Sequence, residues 1–211
     1  MKIIFSACII VVFFLLLPVL AADNNETIIK KINQKCTQTR SIQAHFEQVY
    51  TNTLTKEKLA EKGLLYFLTP HFIKLEYDQP QGKFFLADGL YLYFYDPEEN
   101  QVIKSDTSNE KTSWLSIING CTIESHFKIL TISEQKTSYF FTLEPKEKKD
   151  EITKLELEIN KNNYVIRTII IYEDIGNTNA YRFSDIKTNS KLDENMFIFT
   201  QPKQAEIIYM Q

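Results

Sequence analysis

The chain is poor in the residues that catalytic and cofactor-binding motifs use most. It contains only five glycines, three histidines and three cysteines among 211 residues. With so few glycines it has neither a glycine-rich phosphate loop nor a Gly-x-Ser-x-Gly nucleophile elbow, and no histidine stands at metal-binding spacing from a second ligand. We therefore expect a protein that is not an enzyme and that needs no metal or cofactor.

The sequence also lacks linkers, internal repeats and a basic surface. The six prolines are scattered, and no tract rich in Ser and Gly divides the chain. Without the leader described below, 23 basic and 27 acidic residues give a net charge of −4. This balance does not favour a nucleic-acid partner. The remaining length of roughly 190 residues suits a single domain with its own core.

The N-terminus has the composition of a secretory signal peptide. Lys2 precedes an apolar run over residues 3–17, and Val19-Leu20-Ala21 forms a small-residue cleavage pattern. The run is shorter than the roughly 20 residues that a membrane-spanning helix needs. We predict that residues 1–22 are a cleaved signal peptide and that residues 23–211 form one domain. Cys8 lies within the apolar run, so a lipid anchor at the cleavage point is not expected.

Two cysteines remain in the mature chain, Cys36 and Cys121. In an oxidising compartment they could bond, and a bridge closing so long a segment would stabilise the fold by about 4 kcal/mol. Each could equally be a small buried apolar residue. The sequence leaves both alternatives open.

Aromatic residues are concentrated between Gly63 and Tyr95, where ten positions are Phe or Tyr. Asp88-Gly89 predicts a type I′ turn that folds two aromatic runs into a β-hairpin. One face of a hairpin cannot hold so many rings. We therefore expect a thick core or an apolar ligand to cover them.

Hydrophobic periodicity predicts a mainly β chain with antiparallel neighbours and two short helices. The helices are predicted over 26–39 and 109–119. The strands are predicted over 41–50, 63–68, 72–77, 83–88, 90–95, 126–133, 138–144, 152–159, 163–173, 179–187 and 196–200. A sheet of this size must close or cover its apolar face, and the two helices are the candidate covers.

Four segments carry recognisable motifs in a fixed order. Residues 41–48 fit the pattern S-x-x-A-x-F-x-Q, and residues 63–72 begin with G-x-L-x-x-x-x-P. Residues 79–97 open with Q-P and end with D-G-x-x-x-x-x-Y-x-P, and residues 197–202 follow near the C-terminus. With these four segments, nearly the whole mature chain resembles the periplasmic outer-membrane lipoprotein carrier family, LolA.

This resemblance implies an open antiparallel half-barrel sheet whose concave apolar face is covered by short lid helices. It also implies a periplasmic chaperone that receives lipoproteins from an inner-membrane ABC-type exporter and delivers them to an outer-membrane acceptor. We expect a monomer with a partly filled, deformable cavity for acyl chains. An alternative is a periplasmic lipid-sensing regulator of envelope stress with the same fold, although such proteins normally carry a second domain.

The residues expected to line the acyl-chain cavity are apolar and come from the sheet and from the lid. Those from the sheet are Phe46, Ile73, Leu75, Tyr77, Phe85, Leu92 and Phe94, and those from the lid are Ile29, Ile32, Trp114, Leu115, Ile117 and Ile118.

One position departs from the family pattern. The family often has an arginine immediately before a proline, thought to hold the lid shut by hydrogen bonds, where this chain has Thr69 before Pro70. Threonine offers one hydroxyl in place of five N–H donors. We therefore expect lid closure to be weaker than in the family, or to rest on a bridge between Cys36 and Cys121.

Overall fold

The fold is dominated by one large antiparallel sheet. The computed structural model describes residues 24–106, 117–118, 121, 123–147 and 152–210. The predicted signal peptide and most of the predicted helix over 109–119 lie outside these residues. None of the helices in the described residues has the length and the apolar run that crossing a bilayer requires.

Two helices and twelve strands make up the described chain. The helices are α1 (Asn25–Gln38) and the single turn α2 (Ile123–His126). The strands are β1 (Ser41–Thr51), β2 (Lys58–Leu68), β3 (Phe72–Tyr77), β4 (Phe84–Asp88), β5 (Tyr91–Asp96), β6 (Gln101–Asp106), β7 (Phe127–Glu134), β8 (Ser138–Pro145), β9 (Ile152–Asn160), β10 (Ile166–Glu173), β11 (Thr178–Thr188) and β12 (Glu206–Tyr209).

All twelve strands belong to one open sheet, in the order β12-β6-β5-β4-β3-β2-β1-β11-β10-β9-β8-β7. Two meanders, β1–β6 and β7–β11, join where β1 pairs with β11. Only the short β12 breaks the antiparallel pattern, because it lies parallel to β6. The fold is thus the predicted half-barrel, with β12 and β7 at its two edges.

The structure describes part of the connection between the two meanders, and we call its residues 117–118, 121 and 123–126 the crossover. This connection joins β6, which lies next to one edge of the sheet, to β7, which forms the other edge. Ile117, Ile118 and Ile123 of this crossover are buried against the same face as Ile28 and Ile32 of α1. The crossover and α1 together form a roof over that face, which we call the inner face.

A second apolar cluster lies on the opposite, outer face of β3–β6. There the C-terminal segment 192–205 packs against outward residues of the hairpin. Phe199 stacks on Tyr93 with their ring centroids 4.0 Å apart, and the ring centroids of Phe197 and Phe72 are 5.6 Å apart. The outer face of the aromatic runs is therefore covered by the protein itself.

The predicted layout is confirmed for α1 and for most strands, but it is wrong at three places. The strands β6 and β12 were not predicted, because most of their residues are polar or exposed and their partners are distant in sequence. The strand predicted over 196–200 is instead a 3₁₀ turn over Glu194–Phe197, which the Asp193 side chain caps.

The prediction of a type I′ turn at Asp88-Gly89 is also wrong, although the predicted hairpin is present. Ala87 pairs with Leu92, so the connection is longer than two residues. Gly89 has a positive φ of 91°, whereas the φ of Asp88 is not positive. The Asp88 carboxylate instead accepts hydrogen bonds from the backbone N–H groups of Leu90 and Tyr91. This is the local side-chain to backbone bonding that aspartate favours in turns.

Gly63 of β2 allows the backbone of β3 to approach closely where Gly63 pairs with Tyr77. A Cβ atom at this position would lie 1.9 Å from the carbonyl oxygen of Glu76. We expect Gly63→Ala to lower the free energy of unfolding by about 3 kcal/mol, because the β3 backbone must move. Urea unfolding measures this loss. The control is Gly82→Ala, where only the strain of a positive φ is added; a loss at Gly63 no larger than at Gly82 would contradict the close approach.

Candidate functional site

The inner face of the sheet forms an apolar floor. Six of the seven sheet residues predicted to line a cavity belong to the same cluster, and of these only Phe85 is partly exposed. Phe94 lies two residues beyond Leu92 on β5, and alternation along the strand puts it on the same face. The structure therefore places all seven predicted sheet residues on one surface.

The roof faces this floor with isoleucines. Ile32, Ile117 and Ile118 are buried against it, and Ile29 is partly buried at its side. The predicted lid residues Trp114 and Leu115 lie outside the described residues. α1 lies towards β7 and β8, where Ile29 and Ile32 approach Phe141.

The two parts of the roof are joined to each other. Cys36 of α1 and Cys121 of the crossover form a disulfide, with their Cα atoms 5.3 Å apart. One helical turn earlier, Asn33 Nδ2 donates to Glu124 Oε2 at 3.0 Å. Because a covalent bond and a hydrogen bond link the same two segments, α1 and the crossover form one connected roof.

Hydrogen bonds hold the last turn of α1 to the sheet. Lys35 Nζ donates to the Thr188 hydroxyl at 3.4 Å, and Asn189 Nδ2 donates to the Gln38 carbonyl at 3.0 Å. The α1 part of the roof is therefore anchored where α1 continues into β1, and the crossover part is anchored where α2 continues into β7 and Lys146 Nζ donates to the Glu124 carbonyl. The isoleucines of the roof meet the floor through apolar contacts only.

Thr69 also lies at this anchor. Its backbone N–H donates to the Arg40 carbonyl at 2.9 Å, at the junction of α1 and β1. The Thr69 hydroxyl has no hydrogen-bond partner among the residues that the structure describes. Whatever Thr69 contributes to closing the roof thus comes from its backbone, which any residue could supply.

The two apolar cavities seen beneath the roof are small. One is lined mainly by residues of β1, β2, β10 and β11 below Ile118, and the other lies between α1, α2 and β8. Each has a volume of about 10 Å³, the space of roughly one water molecule. This differs from the expected partly filled cavity: neither space could hold an acyl chain unless the roof moved away.

A partly buried polar network lies at one end of the floor. The Tyr77 hydroxyl donates to Gln48 Oε1 at 3.0 Å, and Gln48 Nε2 donates to Asn179 Oδ1 at 3.1 Å. Asn179 Nδ2 in turn donates to the Tyr181 hydroxyl at 3.4 Å. Burial raises the pKa of both tyrosines well above its usual value. The sequence analysis identified only Tyr77 of these four residues.

This network could not be found from local spacing, because Gln48 and Asn179 are 131 residues apart. The only available signal was that polar side chains fall on the inward phase of two otherwise apolar strands. No cluster of three or more His, Cys, Asp or Glu side chains suited to a metal ion occurs within the described ranges.

Comparison with known families agrees with the motifs. A family profile described as "Outer membrane lipoprotein carrier protein LolA" matches residues 37–200. The chain is 26% identical over 179 residues to an outer-membrane lipoprotein carrier protein of Glaesserella parasuis, covering 85% of this chain and 84% of that one. A carrier of the same name from Pasteurella multocida is 27% identical over 177 residues and 84% of each chain.

Two solved structures share the fold at low sequence identity. An uncharacterized conserved protein from Thermus thermophilus superposes with a TM-score of 0.54 at 14% identity, covering 88% of this chain and 98% of that one. A putative outer membrane lipoprotein-sorting protein domain from Vibrio parahaemolyticus gives a TM-score of 0.50 at 16% identity, with coverages of 82% and 97%.

The disulfide should stabilise the closed roof. We expect the double variant Cys36→Ser/Cys121→Ser to lower the free energy of unfolding by about 4 kcal/mol, because the unfolded chain loses a cross-link spanning 85 residues. Urea unfolding measures the loss. Wild-type protein under reducing conditions is the matched control and should show the same loss; free thiols found by non-reducing peptide mapping would contradict the pairing.

The buried tyrosines should make the fold sensitive to alkaline pH. A raised pKa means that the folded protein holds the phenol protons above about pH 10, where the unfolded chain releases them. The free energy of unfolding should therefore fall as the pH rises past this value. Tyr77→Phe/Tyr181→Phe should flatten that fall, measured by urea unfolding at about pH 8 and pH 11. Tyr209→Phe, at an exposed ring, is the control, and an unchanged slope in the double variant would disprove the effect.

Proposed function

Because the chain belongs to the outer membrane lipoprotein carrier protein LolA family, we propose that it binds the acyl chains of lipoproteins and carries them through the periplasm to the outer membrane. On this proposal it is a chaperone, not an enzyme, and it acts as a monomer without a cofactor. The names of its curated relatives support the same role.

The observation that carries the proposal is an apolar floor beneath an apolar roof whose two segments are joined to each other by a disulfide. A soluble carrier must remove acyl chains from water, and it must do so reversibly. The roof is held at the last turn of α1 and where α2 continues into β7, and its isoleucines meet the floor through side chains that make no directional bonds. Such a contact can be replaced by another apolar surface without leaving buried polar groups unpaired.

The energetics of this replacement favour binding. Lifting the roof exposes isoleucine side chains that each contribute about 1.5–3 kcal/mol when fully buried. An acyl chain that takes their place recovers about 0.8 kcal/mol for every methylene group removed from water. Acyl chains of ordinary length therefore compensate for the lost contacts. In the closed structure the isoleucines of the roof then occupy the place that the acyl chains would take.

The same reasoning implies a handover at each end of the route. An acyl chain bound by many methylene contacts dissociates slowly from a protein into water unless a second apolar site receives it directly. We propose that an inner-membrane ABC-type exporter loads the carrier and that an outer-membrane acceptor with a better-fitting site unloads it. The carrier's own residues supply no nucleotide chemistry in this scheme; the exporter supplies the work of extraction.

Recovery of cargo tests the function. The full protein, secreted into the periplasm of a Gram-negative host and purified without detergent, should carry acylated proteins that mass spectrometry identifies. Ile29→Glu places a carboxylate on the underside of the roof at a partly buried position. We expect it to reduce the recovered lipoprotein by at least about tenfold, because the charge must be desolvated beside the acyl chains.

The matched control is Lys30→Glu, which adds a carboxylate one residue away on the exposed side of α1. It should recover cargo at the wild-type level. Circular dichroism and urea unfolding establish that both variants are folded. Wild-type protein that carries no acylated protein, or Ile29→Glu protein that carries as much as Lys30→Glu protein, would contradict the proposal.

A further inference from the structure

The sheet splits at one end between β10 and β11. The two strands pair from Tyr172 with Thr178 to Thr168 with Arg182, and the recorded pairing stops there. β11 nevertheless continues to Thr188 along β1, while β10 begins at Ile166 along β9. The two strands thus follow different neighbours beyond Arg182, and the sheet is open between them.

Both strands are irregular at this split. In β10, Ile166 and Thr168 oppose the consecutive residues Ile159 and Glu158, so Arg167 is the extra residue of a β-bulge. β11 carries its own bulge opposite β1, where Asp185 has a positive φ of 50°. Bulges re-aim side chains and end strand pairing, and they occur frequently beside binding sites.

A groove of about 450 Å³ lies along the split. Three of its apolar lining residues, Val165, Phe183 and Ile186, also line the small cavity under Ile118 on the inner side. These three side chains therefore lie between the groove and the space under the roof. It lies at the end of β11 where the roof is anchored, opposite to the end with the tyrosine network.

The polar lining of the groove combines donors and acceptors. Arg167 and Arg182 both line it, and they are two of the three arginines in the whole chain. Neither guanidinium group has a hydrogen bond or an ion pair among the residues that the structure describes. Asp185 and Glu158 supply carboxylates, and Glu158 accepts hydrogen bonds from Ser138 and Thr168 at 2.7 and 3.0 Å.

We propose that this split is the entrance through which acyl chains reach the inner face, and that the groove binds the polar head of the lipoprotein cargo. The inference rests on the proposed function and names the part of the cargo that each surface contacts. The head of a diacylated lipoprotein is a glycerol thioether on the first cysteine. It presents ester and peptide carbonyl oxygens as acceptors, and its free α-ammonium group and peptide N–H groups as donors.

The groove matches this head, whose one charge is positive, better than it matches a free anion. The two arginines offer planar N–H donors for carbonyl oxygens, while Asp185 can accept from peptide N–H groups. The two carboxylates balance the two guanidinium charges, so a phosphate or a fatty-acid carboxylate gains little net attraction. Entry between β10 and β11 beyond Arg182 also breaks no strand pairs, because the two strands are not paired with each other there.

Two probes distinguish the head site from the acyl-chain site. A fluorescently labelled dipalmitoylated cysteinyl peptide carries both head and tails, and diphenylhexatriene is a fluorescent hydrocarbon without a head. Arg167→Met/Arg182→Met should weaken lipopeptide binding by about tenfold or more and leave diphenylhexatriene binding unchanged. The control Lys128→Met/Lys187→Met removes the same charge from exposed lysines outside the groove and should bind both probes as the wild type does.

A second measurement does not depend on the arginines. An environment-sensitive fluorophore on Ser184→Cys lies in the groove, and the same fluorophore on Asp174→Cys lies in the turn at the other end of β10 and β11. Lipopeptide should shift the emission of the first label to shorter wavelength and leave the second unchanged.

The outcomes separate this inference from the proposed function. If the wild type binds the lipopeptide but the arginine variant binds it equally well, or if both labels respond alike, the entrance is wrong and the carrier function stands. If the wild type binds neither probe, the entrance and the function are both overturned. If only the label on Ser184→Cys responds and the arginine variant loses lipopeptide binding, the entrance is supported.

Discussion

The contact between the isoleucines of the roof and the inner face of the sheet is the interaction on which the rest of this structure depends. An open sheet of twelve strands with an apolar face is not stable in water unless something covers that face. Here the cover is made by α1 and by the crossover that the strand order itself requires. The same segment that joins the two meanders therefore also completes the core.

This arrangement joins stability to binding. A core made by two packed layers that belong to one continuous sheet would have to unfold before a ligand could enter. In this chain one layer is a connected roof, anchored by its last helical turn and by Thr69 and Asn189 near the start of β1. The apolar surface needed to hold the fold together is then the surface that a carrier would offer to acyl chains. This surface cannot contact the roof and acyl chains at the same time.

Sequence reasoning predicted the parts of the fold that depend on local periodicity. Alternating apolar residues located β1, β3, β8 and β9, and the inward phase of β3 identified Ile73, Leu75 and Tyr77 together. It did not predict β6, where only Val102 is buried, or β12, whose partner lies about a hundred residues earlier. The Gln48–Asn179 bond and the split beside Arg182 depend on register between distant strands, for which a single sequence carries no local signal. The number of aromatic rings in the hairpin correctly predicted that one covered face is not enough to hold them. That the C-terminal segment covers the outer face could not be predicted, because no pattern within the hairpin indicates it.

The short parallel strand at the end of the chain has a consequence for self-association. β12 shields the edge of β6 and leaves at that side a free edge only four residues long. At the opposite side, β7 is interrupted by a bulge near Leu130. Short and irregular borders hinder one sheet from adding to the next. Polymerisation through backbone hydrogen bonds is therefore disfavoured at both borders of this sheet.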